Sequence, residues 1–216
     1  MAEFLDTFFY GFDTAIYTFF GSLQCSFMNV IMNFITLFGS AQAFIIYLIL
    51  GMALCFSKKT RKYGITALIA LAIGFLVTNY TIKPWVARPR PYVGLADTPY
   101  WEIYREFYEF AGCHTSADPS FPSGHTTTAF ELAVSMSMLL GLEEKKKWPA
   151  IPLMIFAFLV GISRIYVMVH YPTDVIVGMV IGTLVGVVAY YLSRALRNFL
   201  ARRKALKMEA LKEPTE

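Results

Sequence analysis

The sequence predicts an all-α fold, a bundle of six transmembrane helices, from three observations. Of 216 residues, 56% are hydrophobic and the mean hydropathy is +0.52, too apolar for an ordinary soluble domain. Six apolar runs reach the length of a bilayer span, about 20 residues with a range of roughly 17–25. Basic residues gather at alternate ends of these runs. Together these features predict one membrane-embedded domain over 1–216, with an amphipathic segment at 4–20 and a basic cytoplasmic tail at 194–216.

The elements follow in chain order. In residues 4–20, Leu5, Phe8, Phe9, Phe12, Ile16, Phe19 and Phe20 recur at helical spacing, while Asp6 and Asp13 share another face. That pattern describes either an interfacial amphipathic helix or a helix packed on the bundle. Spans are expected at about 24–40, 41–57, 63–82, 126–142, 149–168 and 172–193. The first is the most polar, with Gln24, Asn29 and Asn33, and only a tight turn at Gly39-Ser40 divides it from the second. The loop between the third and fourth spans, 83–125, is long and aromatic: Trp85, Tyr92, Tyr100, Trp101, Tyr104, Phe107, Tyr108 and Phe110. Such residues suit a membrane interface, and 100–110 is expected to form a short surface helix that caps a site or guides a lipid tail.

Orientation follows from Lys and Arg placement. Fourteen of the nineteen lie after the second, fourth and sixth spans; the other five are Lys83, Arg88, Arg90, Arg105 and Arg164. Both termini are therefore expected in the cytoplasm and the long loop outside. With no basic start, and acids at Glu3, Asp6 and Asp13, the N-terminus reads as lacking a signal peptide, so the first span would be an uncleaved anchor. Membrane orientation accounts for the net charge of +4, and no nucleic-acid partner is expected. Cys25, Cys55 and Cys113 are odd in number and without metal spacing, so neither a disulfide framework nor zinc is expected. His114 beside Cys113 reads as an ordinary loop pair.

Three clusters at span ends carry the chemistry: Lys83 to Pro91, Pro122-Ser123-Gly124-His125, and Ser163-Arg164 with His170 and Asp174. Lys83 and Arg90 supply fixed positive charge, and Arg164 adds a planar donor fork suited to phosphate. Ser123 and Gly124 precede an apolar run, so their amides open a helix, a ready anion site. Asp174 lies four residues after His170 with Pro172 between. Proline favours a first helical turn, which lets Asp174 hold one ring nitrogen of His170 and orient the other as a nucleophile. His125 is left to protonate the departing oxygen. Arg88 reads as a surface or headgroup contact, Asp118 before Pro119 as a turn residue, and Glu131 as an intramembrane carboxyl without a catalytic role.

These clusters resemble the signature of the type 2 phosphatidic acid phosphatase (PAP2) superfamily, K-x6-R-P, P-S-G-H and S-R-x5-H-x3-D. Every defined position is matched, by Lys83, Arg90, Pro91; Pro122, Ser123, Gly124, His125; and Ser163, Arg164, His170, Asp174. The resemblance implies a metal-independent lipid phosphatase with a phosphohistidine on His170 and His125 as general acid. No cofactor and no metal are expected, because three cationic side chains take the electrostatic role of an ion. The substrate is left open among phosphatidylglycerol phosphate, undecaprenyl diphosphate, phosphatidic acid and related membrane lipids, as is the oligomeric state. Rival readings are a lipid phosphotransferase using the same residues, a vanadium haloperoxidase, which shares similar anion-binding motifs, and a non-catalytic lipid-binding protein.

Overall fold

A computed structural model describes residues 1–210, and every regular element among them is helical. The N-terminal segment is two helices, α1 (Ala2–Phe8) and α2 (Tyr10–Ser22). The single helix expected over 4–20 breaks at Phe9. The break lets both acids face inward: Asp13 is buried, while Phe4, Phe8, Phe12 and Phe19 stay exposed. The segment thus packs on the bundle through Tyr17 and its apolar neighbours and through Asp13, with a row of phenylalanines left exposed.

Next come α3 (Ser26–Thr36), closed by a 3-10 turn at Leu37–Gly39, and α4 (Ala41–Phe56). The two are bent by 50° at the expected Gly39-Ser40 turn, where the Ser40 side chain caps α4 by accepting from the Ala43 amide. The polar residues of α3 have partners. Gln24, just ahead of the helix, donates to the carbonyls of Phe107 and Tyr166, and Asn29 donates to that of Phe110. They tie α3 to the aromatic loop.

Helix α5 (Arg61–Phe75) runs on through a π-helical stretch, Leu76–Ile82, into α6 (Lys83–Val86). A left-handed Ala87, φ 50°, ends it. The loop holds α7 (Pro91–Gly94) and α8 (Trp101–Ala111), the helix expected at 100–110. Then come α9 (Gly124–Met138), prolonged by a π turn at Leu139–Glu143, α10 (Ala150–Tyr166) and α11 (Pro172–Ala210). The expected basic tail is helical as far as Ala210, a continuation of α11; its residues 211–216, including Lys212, lie outside the described residues.

Among the described residues, Arg61–Gly94 and Pro172–Glu209 are long and apolar enough to cross a bilayer unaided, and Ala150–Tyr166 is apolar but shorter. Helices α9 and α11 form the axis of the bundle. Gly178, Gly182 and Gly186 of α11 lie against the backbone of α9: a Cβ at Gly182 would stand 2.5 Å from the Thr127 carbonyl oxygen, and one at Gly186 would stand 2.9 Å from that of Glu131. This close approach, typical of small residues four apart on packed membrane helices, sets the first turn of α9 beside the first turn of α11. There the Ser123 amide donates to the Asp174 carbonyl at 3.1 Å. Glycine spacing therefore joins two of the three clusters.

Candidate active site

His170 sits in the tight turn between α10 and α11, 1% exposed. Pro172 begins α11, and the Asp174 carboxylate accepts the Tyr171 amide at 3.1 Å. This is the reach-back of an acid at the third residue of a helix to the residue that caps it. The same Oδ2 lies 3.4 Å from His170 Nδ1 and accepts the Ser120 hydroxyl at 2.5 Å. On the other side of the ring, Arg90 Nη1 stands 2.7 Å from Nε2. A guanidinium has no acceptor, so Nε2 accepts and the ring proton resides on Nδ1, facing Asp174. The lone pair of Nε2 therefore points toward the cationic side, where Arg90 holds it. Burial, reinforced by Arg90, Arg164 and Lys83, pushes the His170 pKa well below its ordinary value, which keeps that lone pair available.

Lys83 begins α6, at the end of the π-helical stretch, and is buried. The Arg-Pro-Arg-Pro run that follows is extended, with φ −66° and ψ 154° at Arg90, near polyproline geometry. At three residues per turn, side chains two apart diverge by about 120°, so Arg88 and Arg90 leave the chain on different sides. Arg90 also donates to the Val169 carbonyl at 3.0 Å, which holds it on the His170 turn. Arg164, in the last turn of α10, donates to the Thr36 hydroxyl, and its Nε has no hydrogen-bond partner among the described residues. His125, in the first turn of α9, has its ring centroid 6.5 Å from that of His170 and packs on Gly39, where a Cβ would fall 2.5 Å from the His125 ring. The α3–α4 elbow thus forms one wall of the His125 site.

The cradle is not vacant. The Asp118 carboxylate lies between Lys83, which it contacts directly, and Arg90, with Nη2 to Oδ1 at 2.6 Å and Nε to the Asp118 carbonyl at 3.0 Å. Burial works against its charged form, but the two cations overcome it and hold the carboxyl far below the usual range. The turn residue expected at 118 is also the counterion of the cradle. Beside it opens a cavity of about 740 Å³ whose lining includes Asn33, Thr36, His114, His125 and Arg164. His114, the loop imidazole expected, meets Asn33 at 2.5 Å at this rim.

Ser123 differs from expectation in detail. Its amide is taken by the Asp174 carbonyl, and its side-chain oxygen accepts the Thr126 amide and hydroxyl. The amides of Gly124 and His125 remain as first-turn donors without intrahelical partners, and Gly124 lies next to Lys83, whose Nζ would be 3.9 Å from a Cβ there.

Arg88 overturns its sequence reading outright. Its side chain is fully buried, and it joins Asp174 at 2.6 Å, Asp13 at 3.0 Å and Asp6 at 2.7 Å. The reason is electrostatic: Asp13 and Asp174 are themselves buried, and buried charges require partners. Asp6, Asp13 and Ser120 were likewise missed. Two acids on one face of an otherwise aromatic helix were the signal for the first two; nothing in the spacing marked Ser120. Glu131, by contrast, packs against Gly74 of α5 with both carboxyl oxygens unpartnered among the described residues, away from the cavity lining.

Comparison with known proteins agrees with this geometry. Residues 63–198 match the PAP2 superfamily model. The chain is 34% identical over 178 residues to the undecaprenyl-diphosphatase BcrC of Bacillus subtilis, covering 80% of each chain. It is 30% identical over 163 residues to phosphatidylglycerophosphatase B of the same organism, covering 73% of this chain and 71% of that one. The fold superposes on the crystal structure of a transmembrane PAP2-type phosphatidylglycerolphosphate phosphatase from Bacillus subtilis with a TM-score of 0.65 and 26% identity, over 87% of this chain and 85% of that one. With the matched region spanning all three clusters, the chain belongs to the PAP2 superfamily and is a membrane hydrolase of phosphoric esters.

Proposed function

We propose that this enzyme removes the terminal phosphate of a lipid phosphate or diphosphate through a phosphohistidine on His170. The observation that carries the reading is the placement of His170 between Arg90 at Nε2 and Asp174 at Nδ1, 2.7 and 3.4 Å away. The substrate phosphate displaces Asp118 and takes over Lys83, Arg90 and Arg164, with the Gly124 amide and the Ser123 hydroxyl as further donors. As Arg90 moves from Nε2 onto a phosphoryl oxygen, the freed lone pair attacks phosphorus in line and the bond to the lipid oxygen breaks. Burial and the cations Arg164, Arg90 and Lys83 push the His125 pKa well below its ordinary value; the bound phosphate dianion offsets those cations, so His125 takes up a proton from solvent and gives it to that oxygen. The imidazolium is balanced by Asp174 through Nδ1–H. Water then attacks phosphorus, His125 takes its proton, the N–P bond breaks and orthophosphate leaves. Charge that develops on the phosphoryl oxygens meets donors already in place, the economy of a preorganised site.

The topology belongs to the same proposal: one domain with the cradle at the outer face and the basic end of α11 in the cytoplasm. Helices α1, α2 and α3 stay on the cradle side, because Asp6 and Asp13 bond Arg88 and Asn29 bonds the Phe110 carbonyl, so α4, α5, α9, α10 and α11 make five crossings and the N-terminus lies outside, in place of the six crossings and cytoplasmic N-terminus expected from the sequence. At 1.5 Å per residue, the fourteen residues of Ser26–Gly39 span about 21 Å, short of a hydrocarbon core of about 30 Å. The exposed phenylalanines of α1 and α2 then rest in the outer interface. An impermeant thiol reagent on sealed cells tests this: exposed Cys113 should be labelled, and external labelling of a variant keeping only Cys55 would invert the orientation.

Substrate is tested by phosphate release across undecaprenyl diphosphate, phosphatidylglycerol phosphate and phosphatidic acid. The diphosphate is expected to give the highest kcat/KM, since relatives at 34% and 32% identity are undecaprenyl-diphosphatases. No release from any of them would overturn the function.

A further inference from the structure

We propose that Asp13 and Arg88 are positioning residues for the reaction, which makes the N-terminal helix pair part of the catalytic assembly although it lies outside the matched region 63–198. The inference rests on the role given above to Asp174. That carboxylate has two oxygens with separate duties. Oδ2 faces His170, Ser120 and the Tyr171 amide. Oδ1 is held from behind by Arg88 Nη1 at 2.6 Å. The plane of the carboxylate, and so the direction in which Oδ2 points at Nδ1, depends on where that guanidinium stands.

Besides Asp174, four contacts fix the guanidinium, one of them Nε donating to Asp6 at 2.7 Å. Tyr171 lies beneath it, ring centroid 3.6 Å from Cζ, which sets its plane. Nη1 also donates to the Thr173 hydroxyl at 2.8 Å. Nη2 donates to Asp13 at 3.0 Å. Asp13 in turn accepts the Thr173 amide at 3.0 Å and the Thr173 hydroxyl at 2.9 Å. Arg88, Asp13 and Thr173 therefore close a ring whose anchor is the first turn of α11, the turn that carries Asp174. An arginine–carboxylate pair alone can slide; one bracketed to the helix of its own partner cannot. Asp13 also satisfies an amide that the helix start leaves without an intrahelical acceptor. Packing of α2 on the bundle through Tyr17 and its apolar neighbours requires none of these polar groups. Neither Asp13 nor Arg88 lines the cavity beside His125 and Arg164, so both act through Asp174 rather than on substrate.

The test is a double-variant cycle on the full-length protein in detergent or vesicles, with kcat, KM and thermal midpoint read for each variant. Asp13→Asn preserves shape, so it is the primary probe. It should lower kcat about ten- to a hundredfold, the scale of a small misplacement of a catalytic group, with KM changed less than about threefold. Arg88→Lys should recover part of what Arg88→Gln loses. Asp13→Asn combined with Asp174→Asn should be no worse than Asp174→Asn alone, because residues acting as one unit are not additive. A purely structural role would instead multiply the two losses and lower the thermal midpoint in step; that result overturns the proposal. So does an inert Asp13→Asn beside a crippled Asp174→Asn, which leaves the Asp174 reading standing. Wild-type turnover in Asp174→Asn would remove that reading and this inference with it.

Discussion

Arg88 and Arg90 stand two residues apart, yet they occupy opposite sides of one imidazole. In front of His170, Lys83 and Arg90 share a single half-exposed acid, Asp118, and Arg164 lines the cavity beside them. Behind it, Asp6, Asp13 and Asp174 converge on a single guanidinium, that of Arg88. The front has surplus positive charge and opens beside a large cavity; the back has surplus negative charge around a fully buried guanidinium. That polarity suits a ring which must attack a phosphate and then carry positive charge itself. It also separates two kinds of arginine: one whose partner is exchangeable and one whose partners are permanent.

Substitutions should divide along the same line. The largest effect belongs to the group between the two regions. His170→Ala should reduce turnover about 10⁴-fold or more, since removal of a nucleophile leaves only binding and charge stabilisation; a few percent of residual activity in a clean preparation would break the comparison at its centre. Next is the front wall. His125→Gln should cost about 10²- to 10⁴-fold, the range of general acid–base catalysis, and the loss should shrink for a lipid whose leaving oxygen needs no proton, such as an aryl phosphate analogue.

Asp118→Asn reads the exchangeable partner. The carboxylate now competes with phosphate for Lys83 and Arg90, so the variant should bind vanadate or inorganic phosphate about fivefold more tightly, as expected when a closed form no longer dominates. Weaker inhibition would mean that Asp118 orders the two cations instead of opposing their ligand. The smallest effect should come from chelation. Excess EDTA should leave activity within about twofold, because the three front cations supply the charge stabilisation an ion would give; loss restored by Mg²⁺ would contradict that.

The front of the site was readable from the chain because its residues recur at fixed spacing beside helix ends, and Lys83, Arg90, His125, Arg164 and His170 do face one another. The back was not. Asp13 lies 161 positions from Asp174, and no spacing rule predicts a pairing across that distance. Only the misfit of Asp6 and Asp13 in an aromatic helix hinted that they had somewhere to go. Helix ends were less legible still. The break at Phe9 and the extension of α11 to Ala210 depend on tertiary contacts that hydrophobic length does not report. Ser123 shows the same limit at one residue: its position at a helix start was legible, but the claim on its amide by Asp174 arises from glycine packing between α9 and α11.

Rapid chemical quench with a lipid substrate labelled at its terminal phosphate tests the central claim most directly. The labelled phosphate should appear on the protein within a single turnover, be stable to alkali and labile to acid, and map to His170. It should accumulate further in His125→Gln with a substrate bearing a good leaving group, because water attack then lacks its base. Turnover with no labelled protein at any time, or label on a residue other than His170, would contradict the account.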